Sequence, residues 1–356
     1  MPTLAAGDAL AECLRSLESQ TLADFEVVVV DNSGVGRARV FGDRVRLIAN
    51  SRNVGFGAAV NQAFESSQAP YLATLNDDAV AHPEWLEALL NDAEAHPRAG
   101  MFASQVRMAG TQELDSAGML IAADGSSKQR GHGEAFAAFS ARTGPSRPSE
   151  RSGTREGDAE SGSVVRASSS KGGAEALFPS GSAALYLRTM LEQTGAFDES
   201  LFLYCEDVDL GLRARWAGWD CRYVEDAVVE HRYSHSAGRA SPLKAYYVER
   251  NRLCTVIKNF PMGMLLRVPG AALTRYFWHC FSLLQGRGKA AEFRGGGQSA
   301  AMLPFLVLRA HVAAMARLPA LLRERRRIFR SRSIASAEFE ELLRRHSISA
   351  RKVAEL

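Results

Sequence analysis

An α/β fold around a mixed sheet with a large parallel component is what this 356-residue sequence predicts. Three observations lead there. Segments with helical apolar spacing alternate with β-branched runs, the links between them are short, and two of the runs end abruptly in carboxylates.

The elements follow in order. GDALAECLRSLESQ places Leu10, Cys13, Leu14 and Leu17 on one helical face. FEVVVVDNSG is a buried strand with its turn, RVRLIAN a short strand, and GFGAAVNQAFESS a helix opened by glycines. YLATLNDDAV is another apolar strand, and HPEWLEALLNDAEAHP a helix with proline near its start. From Ser140 to Gly173 the chain is rich in Ser, Gly and Arg with almost no large apolar residue, so it predicts a disordered insertion. Order is expected again at EALFPSGSAALYLRTMLEQ, a Pro-Ser-Gly turn within an apolar segment and then a helix. WDCRYVEDAVVEHRYSHSAG predicts a short strand pair, and the pattern is helical and amphipathic from Leu243 onward. Ligands of such sheets sit beyond the carboxyl ends of strands, where Asp31, Asp77 and Asp78 fall.

Composition excludes several classes. With 46% hydrophobic and 23% charged residues the chain is globular, and a net charge of +3 carries no nucleic-acid signal. Its five cysteines lack CxxC spacing, which points to reduced thiols in a cytoplasm and away from zinc. No signal peptide is read at the N-terminus, and no apolar run reaches the roughly 20 residues of a membrane span.

Three segments carry chemistry. In LNDDAV two adjacent carboxylates end a buried strand; either they cap a turn or a divalent cation with a diphosphate neutralises them. In LFLYCEDVDLGLRARWAGW, Glu206, Asp207 and Asp209 either charge the first turn of a helix or supply a general base. In EHRYSHSAG, His231 ends a β-branched run and is either structural or a metal ligand, with His235 the weaker candidate.

Taken in order, FEVVVVDNSG, NVGFGAAVNQAF, YLATLNDDAV, PSGSAALYLR, GAFDESLFLYCEDVDLGLRARWAGW, AVVEH and VERNRLCTVIKNFP resemble the inverting family 2 glycosyltransferases, the bacterial rhamnosyltransferase-like group with a GT-A fold. The resemblance implies a GT-A catalytic domain over 1–240, interrupted at 140–173, and an amphipathic helical region over 241–356. It implies Asp207 as catalytic base with Glu206 beside it, and Asp209 paired with Arg213. Thr3, Asp31, Asn53, Gly55, Asn76, Asp77, Gly181 and Ser182 would bind the nucleotide sugar, and Asp78 with His231 would hold Mn²⁺ or Mg²⁺. NDD departs from the family's DxD at its first position. The implied partners are a nucleotide-diphosphate sugar (dTDP-rhamnose or a UDP-sugar) and a saccharide or lipid-linked acceptor of cell-surface polysaccharide synthesis.

Against that family the first strand reads as absent, since the chain opens MPTLAAGDALAECL, and a start assigned too far downstream is the favoured account. A truncated, non-catalytic relative that binds nucleotide or a partner is the rival. A sugar nucleotidyltransferase would need a Gly-rich basic loop near the N-terminus, which is not seen. The C-terminal helices, with Phe277, Trp278, Phe281, Leu284, Leu303, Phe305, Leu306 and Leu308 beside arginine clusters, predict either a packed extension or docking at the inner face of the cytoplasmic membrane.

Overall fold

The computed structural model describes residues 1–5, 7–143, 174–232, 241–288 and 301–355, with 293 and 299. The N-terminal part is a three-stranded parallel sheet in the order β1 (Pro2–Thr3), β2 (Val28–Asp31), β3 (Arg46–Ala49). Helices α1 (Asp8–Glu18) and α2 (Phe56–Glu65) connect and cover it. Leu10 and Leu14 of α1 pack with Val29, while Ala59 and Ala63 of α2 pack with Val30. Successive residues of β2 thus point to opposite faces.

The first strand, read from the sequence as absent, is present as a two-residue segment. The Met1 amino group donates to Val28 O at 2.9 Å, and Val30 and Asn32 amides donate to Met1 O and Thr3 O. Two residues show no periodicity, so no sequence pattern could have disclosed the strand.

A second, mixed sheet has the order β4 (Tyr71–Leu75), β10 (Ala183–Leu187), β6 (Ala99–Met108), β11 (Asp220–His231), β5 (Ala79–Ala81), with β7 (Leu114–Ser116) on β6. Strand β10 runs antiparallel to both β4 and β6, whereas β11 is parallel to β6. The expected strand pair at 219–238 is instead one continuous strand over Asp220–His231. Its register against β6 jumps between Val224 and Val228, so Glu225 and Asp226 lie in a bulge. Residues 140–143 complete α4 (Phe136–Thr143), while the rest of the expected insertion, and His235, lie outside the described residues. A hairpin of β8 (Met119–Ile121) and β9 (Ser127–Gln129) stands apart.

The remaining helices are α3 (Trp85–Ala95), α5 (Arg188–Thr194), α6 (Glu206–Trp216), α7 (Pro242–Asn259), α8 (Met262–Leu265), α9 (Val268–Leu284), α10 (Met302–Ala316), α11 (Leu318–Arg330), α12 (Ser336–Arg345) and α13 (Ala350–Glu355). One apolar cluster runs from Tyr186 and Leu212 through Val256 and Phe260 to Phe339 and Leu343, so the C-terminal helices share a core with the sheet. Trp216 is its hinge pin. Its ring stacks on Phe339 at 4.0 Å and its N–H donates to Asn259 O at 2.8 Å. No single described helix is long and apolar enough to cross a membrane; α10 and α11 pass together only as a pair bent by 64°. All five cysteines are free thiols.

Candidate active site

The ends of β4, β10 and β11 converge where the sequence placed its carboxylates. After Leu75 the Asn76 amide donates to Ser182 O at 2.9 Å, which joins the Asn-Asp-Asp turn to the loop before β10. Asn76 Nδ2 lies 3.2 Å from His231 Nε2. Asp77 accepts the Thr3 hydroxyl at 2.6 Å, a bond that ties the parallel sheet to the mixed one. Burial, with Asp78 adjacent, raises the proton affinity of Asp77.

Asp78 Oδ1 is 3.1 Å from His231 Nε2, and His231 Nδ1 is 2.9 Å from Asp115 Oδ2. Burial works to lower the His231 pKa, yet hydrogen bonds to Asp115 and Asp78 lift it to about 9; a divalent cation at Nε2 would take the place of the proton that faces Asp78. Asp115 is held below its usual range, against its own burial, by His132 and His231. Sequence reading missed Asp115, because LDS in a short strand has no distinguishing pattern; only the fold carries β7 to the end of β11.

Asp78 and His231 offer one oxygen and one nitrogen on adjacent strand ends. Among the described residues no group of three His, Cys, Asp or Glu side chains stands ready to hold a metal by itself. Two protein ligands nonetheless fit Mg²⁺ or Mn²⁺, which take their remaining ligands from substrate phosphates and water. The contact of His231 with Asp115 is the outer-shell partner that orients a ligating imidazole.

Asp31 is fully buried. Its two oxygens accept from the amides of Ser33 (2.8 Å) and Ala38 (2.7 Å), closing the turn after β2. Burial works to raise its pKa, but these bonds and the Ser33 hydroxyl hold it below the usual carboxylate range. Asn53 is exposed and accepts the Gly55 amide at 2.9 Å. Gly55 has φ 93°, and a Cβ there would collide with the Phe202 carbonyl oxygen. The next amide, that of Phe56, donates to the same oxygen at 2.8 Å, so this loop packs directly against the segment that precedes α6.

That segment is strained. Phe202 (φ 67°, ψ −58°) centres a γ-turn closed by Leu203 N–H to Leu201 O at 2.8 Å, the rare sign of that turn. Tyr204 and Cys205 follow at φ 68° and 66°. Left-handed conformations cost about 1–3 kcal/mol each for non-glycine residues and persist where surrounding contacts over-determine them.

Helix α6 then begins with Glu206, Asp207 and Asp209, which meet different fates. Asp209 is fully buried but lies 2.9 Å from both Arg213 Nε and Lys258 Nζ; burial opposes ionisation, and these two cations nevertheless take its pKa to about 2. The expected Asp209–Arg213 pair is therefore present, with Lys258 and Asn259 added from α7. Asp207 accepts the Gly181 amide at 3.1 Å and the Val208 amide at 2.8 Å, and burial raises its proton affinity despite these bonds. Glu206 is buried, its Oε2 has no hydrogen-bond partner, and burial with the nearby Asp207 pushes its pKa up to about 8. Gly181 and Ser182 are thus brought between Asp207 and the Asn-Asp-Asp turn.

The candidate site lies at the carboxyl ends of β4 and β11 and the amino end of the antiparallel β10, the edge at which α/β sheets hold ligands. A family profile described as glycosyl transferase family 2 matches residues 1–130. N-acetylglucosaminyl-diphospho-decaprenol L-rhamnosyltransferase of Mycobacterium tuberculosis (strains CDC 1551 and H37Rv) is 32% identical over 262 residues, 69% of this chain and 79% of the relative. An uncharacterized glycosyltransferase of Methanocaldococcus jannaschii is 34% identical over 86 residues, 22% of this chain and 30% of that one. Among solved structures, GalNAc-T7 with UDP, GalNAc and Mn²⁺ is similar at a TM-score of 0.55 and 11% identity, over 76% of this chain and 48% of that one; the chain thus spans about half its length. The protein belongs to glycosyl transferase family 2 and is a glycosyltransferase.

Proposed function

We propose that the enzyme transfers a sugar with inversion from a nucleotide-diphosphate donor, dTDP-rhamnose or a UDP-sugar, to a saccharide or lipid-linked acceptor in cell-surface polysaccharide synthesis. The observation that carries this reading is the carboxylate Asp207, partly buried, raised in proton affinity, and hydrogen-bonded to the Gly181 amide in the loop that also binds Asn76. The name of the mycobacterial relative supports a lipid-linked acceptor and L-rhamnose as the sugar.

Asp207 takes the proton of an acceptor hydroxyl while that oxygen attacks the anomeric carbon from the face opposite the nucleotide. The new carbon–oxygen bond forms as the bond to the diphosphate breaks, and the diphosphate leaves with the electron pair. A raised pKa suits the task, because a stronger base removes the proton at neutral pH. Glu206 lies beside it to contact the acceptor. Thr3, Asp31, Asn53, Gly55, Asn76, Asp77, Gly181 and Ser182 line the donor side. Asp78 and His231 would hold a divalent cation, which supplies charge neutralisation for the leaving diphosphate when bound.

The catalytic domain over 1–240 would carry the chemistry and the helices of 241–356 would meet the cytoplasmic face of the membrane. Exposed Phe277, Phe281 and Leu284 on α9 and Phe305, Leu308 and Val312 on α10 support peripheral contact there. The test is a thermal-shift panel with UDP, dTDP and GDP, each with and without Mn²⁺. A metal-dependent rise in melting temperature with one nucleotide is the expected result and names the donor class. A cooperative melt that no nucleotide shifts would sink the donor assignment.

A further inference from the structure

We infer that Asn251 is a positioning residue for transfer: its side-chain amide holds the strained loop Leu201–Cys205 in the shape that aims Asp207 at the acceptor. The inference rests on the reading of Asp207 as base.

Three of the four residues directly before Glu206 have positive φ, at 67°, 68° and 66° for Phe202, Tyr204 and Cys205. None of them is glycine, so the loop needs outside contacts to keep this shape. Three of these contacts come from one side chain on α7. Asn251 Nδ2 donates to Leu201 O at 2.9 Å, Leu203 O at 2.8 Å and Tyr204 O at 2.7 Å, and the residue is fully buried. A side-chain amide has two hydrogens, so three acceptors converging on one nitrogen is a shared, multi-centre arrangement. The neighbouring Arg250 fixes which end of the amide faces the loop. Its Nε donates to Asn251 Oδ1 at 2.8 Å, while its Nη2 donates to Leu201 O at 2.7 Å. Of the two remaining carbonyls, that of Phe202 accepts the Phe56 amide and that of Cys205 accepts the Asp209 amide within α6.

The loop is therefore gripped from both sides, by α7 and by the start of α2. Its last residue, Cys205, is the residue from which α6 starts, and Asp207 stands two positions on. If the loop relaxed to negative φ, the first turn of α6 would rotate and Asp207 would leave the Gly181 amide. Asparagine suits the place for a stated reason. Aspartate would set a carboxylate against three carbonyl oxygens, and serine offers a single, shorter donor.

The test uses the full chain and three variants: Asn251→Ser, Arg250→Met, and Asn251→Ser combined with Cys205→Gly. Misplacing a catalytic group by about 1 Å costs on the order of 100-fold, so Asn251→Ser is expected to lower kcat by about that factor. Donor KM and nucleotide affinity should change far less than kcat, because Asn251 itself bonds only to the loop carbonyls of Leu201, Leu203 and Tyr204. Hydrogen exchange over residues 200–206 should rise while that of β6 and β10 does not. Arg250→Met should show a smaller fall of the same kind, and it carries the test if Asn251→Ser does not fold. Cys205→Gly should return part of the lost kcat, since glycine accepts the left-handed φ without strain.

Unchanged kcat in Asn251→Ser and Arg250→Met overturns the inference. So does an equal loss of kcat in Leu253→Ala, a variant of the same helix chosen for a matched loss of stability, because the role would then be structural only. The two readings separate cleanly. An active Asp207→Asn enzyme sinks the base assignment, and this inference with it; an inactive Asp207→Asn enzyme beside a fully active Asn251→Ser enzyme sinks the clamp alone.

Discussion

Two pairs of neighbouring carboxylates in this molecule differ in their partners, for a histidine stands beside one pair and, among the described residues, no cation beside the other. At the end of β4, Asp77 accepts a hydroxyl from Thr3 and Asp78 faces the imidazole of His231, so each has a donor at 2.6–3.1 Å. At the start of α6, Glu206 and Asp207 are similarly withdrawn from water, yet among the described residues no cation pairs with either. Asp207 has two backbone amides and Glu206 keeps one oxygen bare. Asp209, in the same helical turn, shows what the fold does when it wants a carboxylate ionised and inert: it supplies Lys258, Arg213 and Asn259. Withholding such partners from Glu206 and Asp207 leaves them with high proton affinity, which suits proton transfer rather than charge storage.

The strongest way to break this comparison is Asp207→Asn. General-base removal should lower kcat by roughly 10²–10⁴-fold while nucleotide affinity stays nearly intact. Steady-state kinetics beside a nucleotide titration checks it, and a near wild-type rate would end the assignment. The opposite pair should respond in the opposite sense. Asp115→Asn, which removes the support of His231, is expected to weaken metal-dependent nucleotide binding by about 10- to 100-fold with a smaller effect on saturated turnover. If the two variants had the same signature, the division of labour between the pairs would be false.

Gly55→Ala joins the two regions. With φ 93° and the Phe202 carbonyl in the way of a Cβ, the substitution should cost about 2 kcal/mol or more, read as a lower melting temperature. The smallest expected effect is on pH dependence. The folded-state pKa of Glu206, about 8, lies above its ordinary value of 4.5, so the native state holds the proton more tightly than the unfolded chain. That contribution to stability is complete below pH 4.5 and is lost as pH rises through about 8. Glu206→Gln should flatten the decline in melting temperature between those limits, and an unchanged slope would place the titration elsewhere.

Much of this was legible in the chain itself. The β-branched run through Asp31, the Leu75 strand ending in Asn-Asp-Asp and the helix opened by Glu206 were read in place, because periodicity and chain breakers are local signals. The single strand Asp220–His231 reads from the sequence as a strand pair, since polar residues inside a long strand look the same whether the chain reverses or only bends. VERNRLCTVIKNFP stood out as a segment, but no role could be attached to it. Asn251, Lys258 and Asn259 act on residues about 50 positions away, and nothing in a helical pattern names a distant partner.

The sequence by itself determined the class of fold, several of its helices and strands and the residue types able to carry acid–base and metal chemistry, because each depends on local spacing and side-chain chemistry. Only the tertiary structure decided which carboxylates are neutralised and which are not. That outcome depends on what α7, β7 and the two-residue β1 bring within 3 Å, and such contacts follow from packing rather than from any neighbour in the chain.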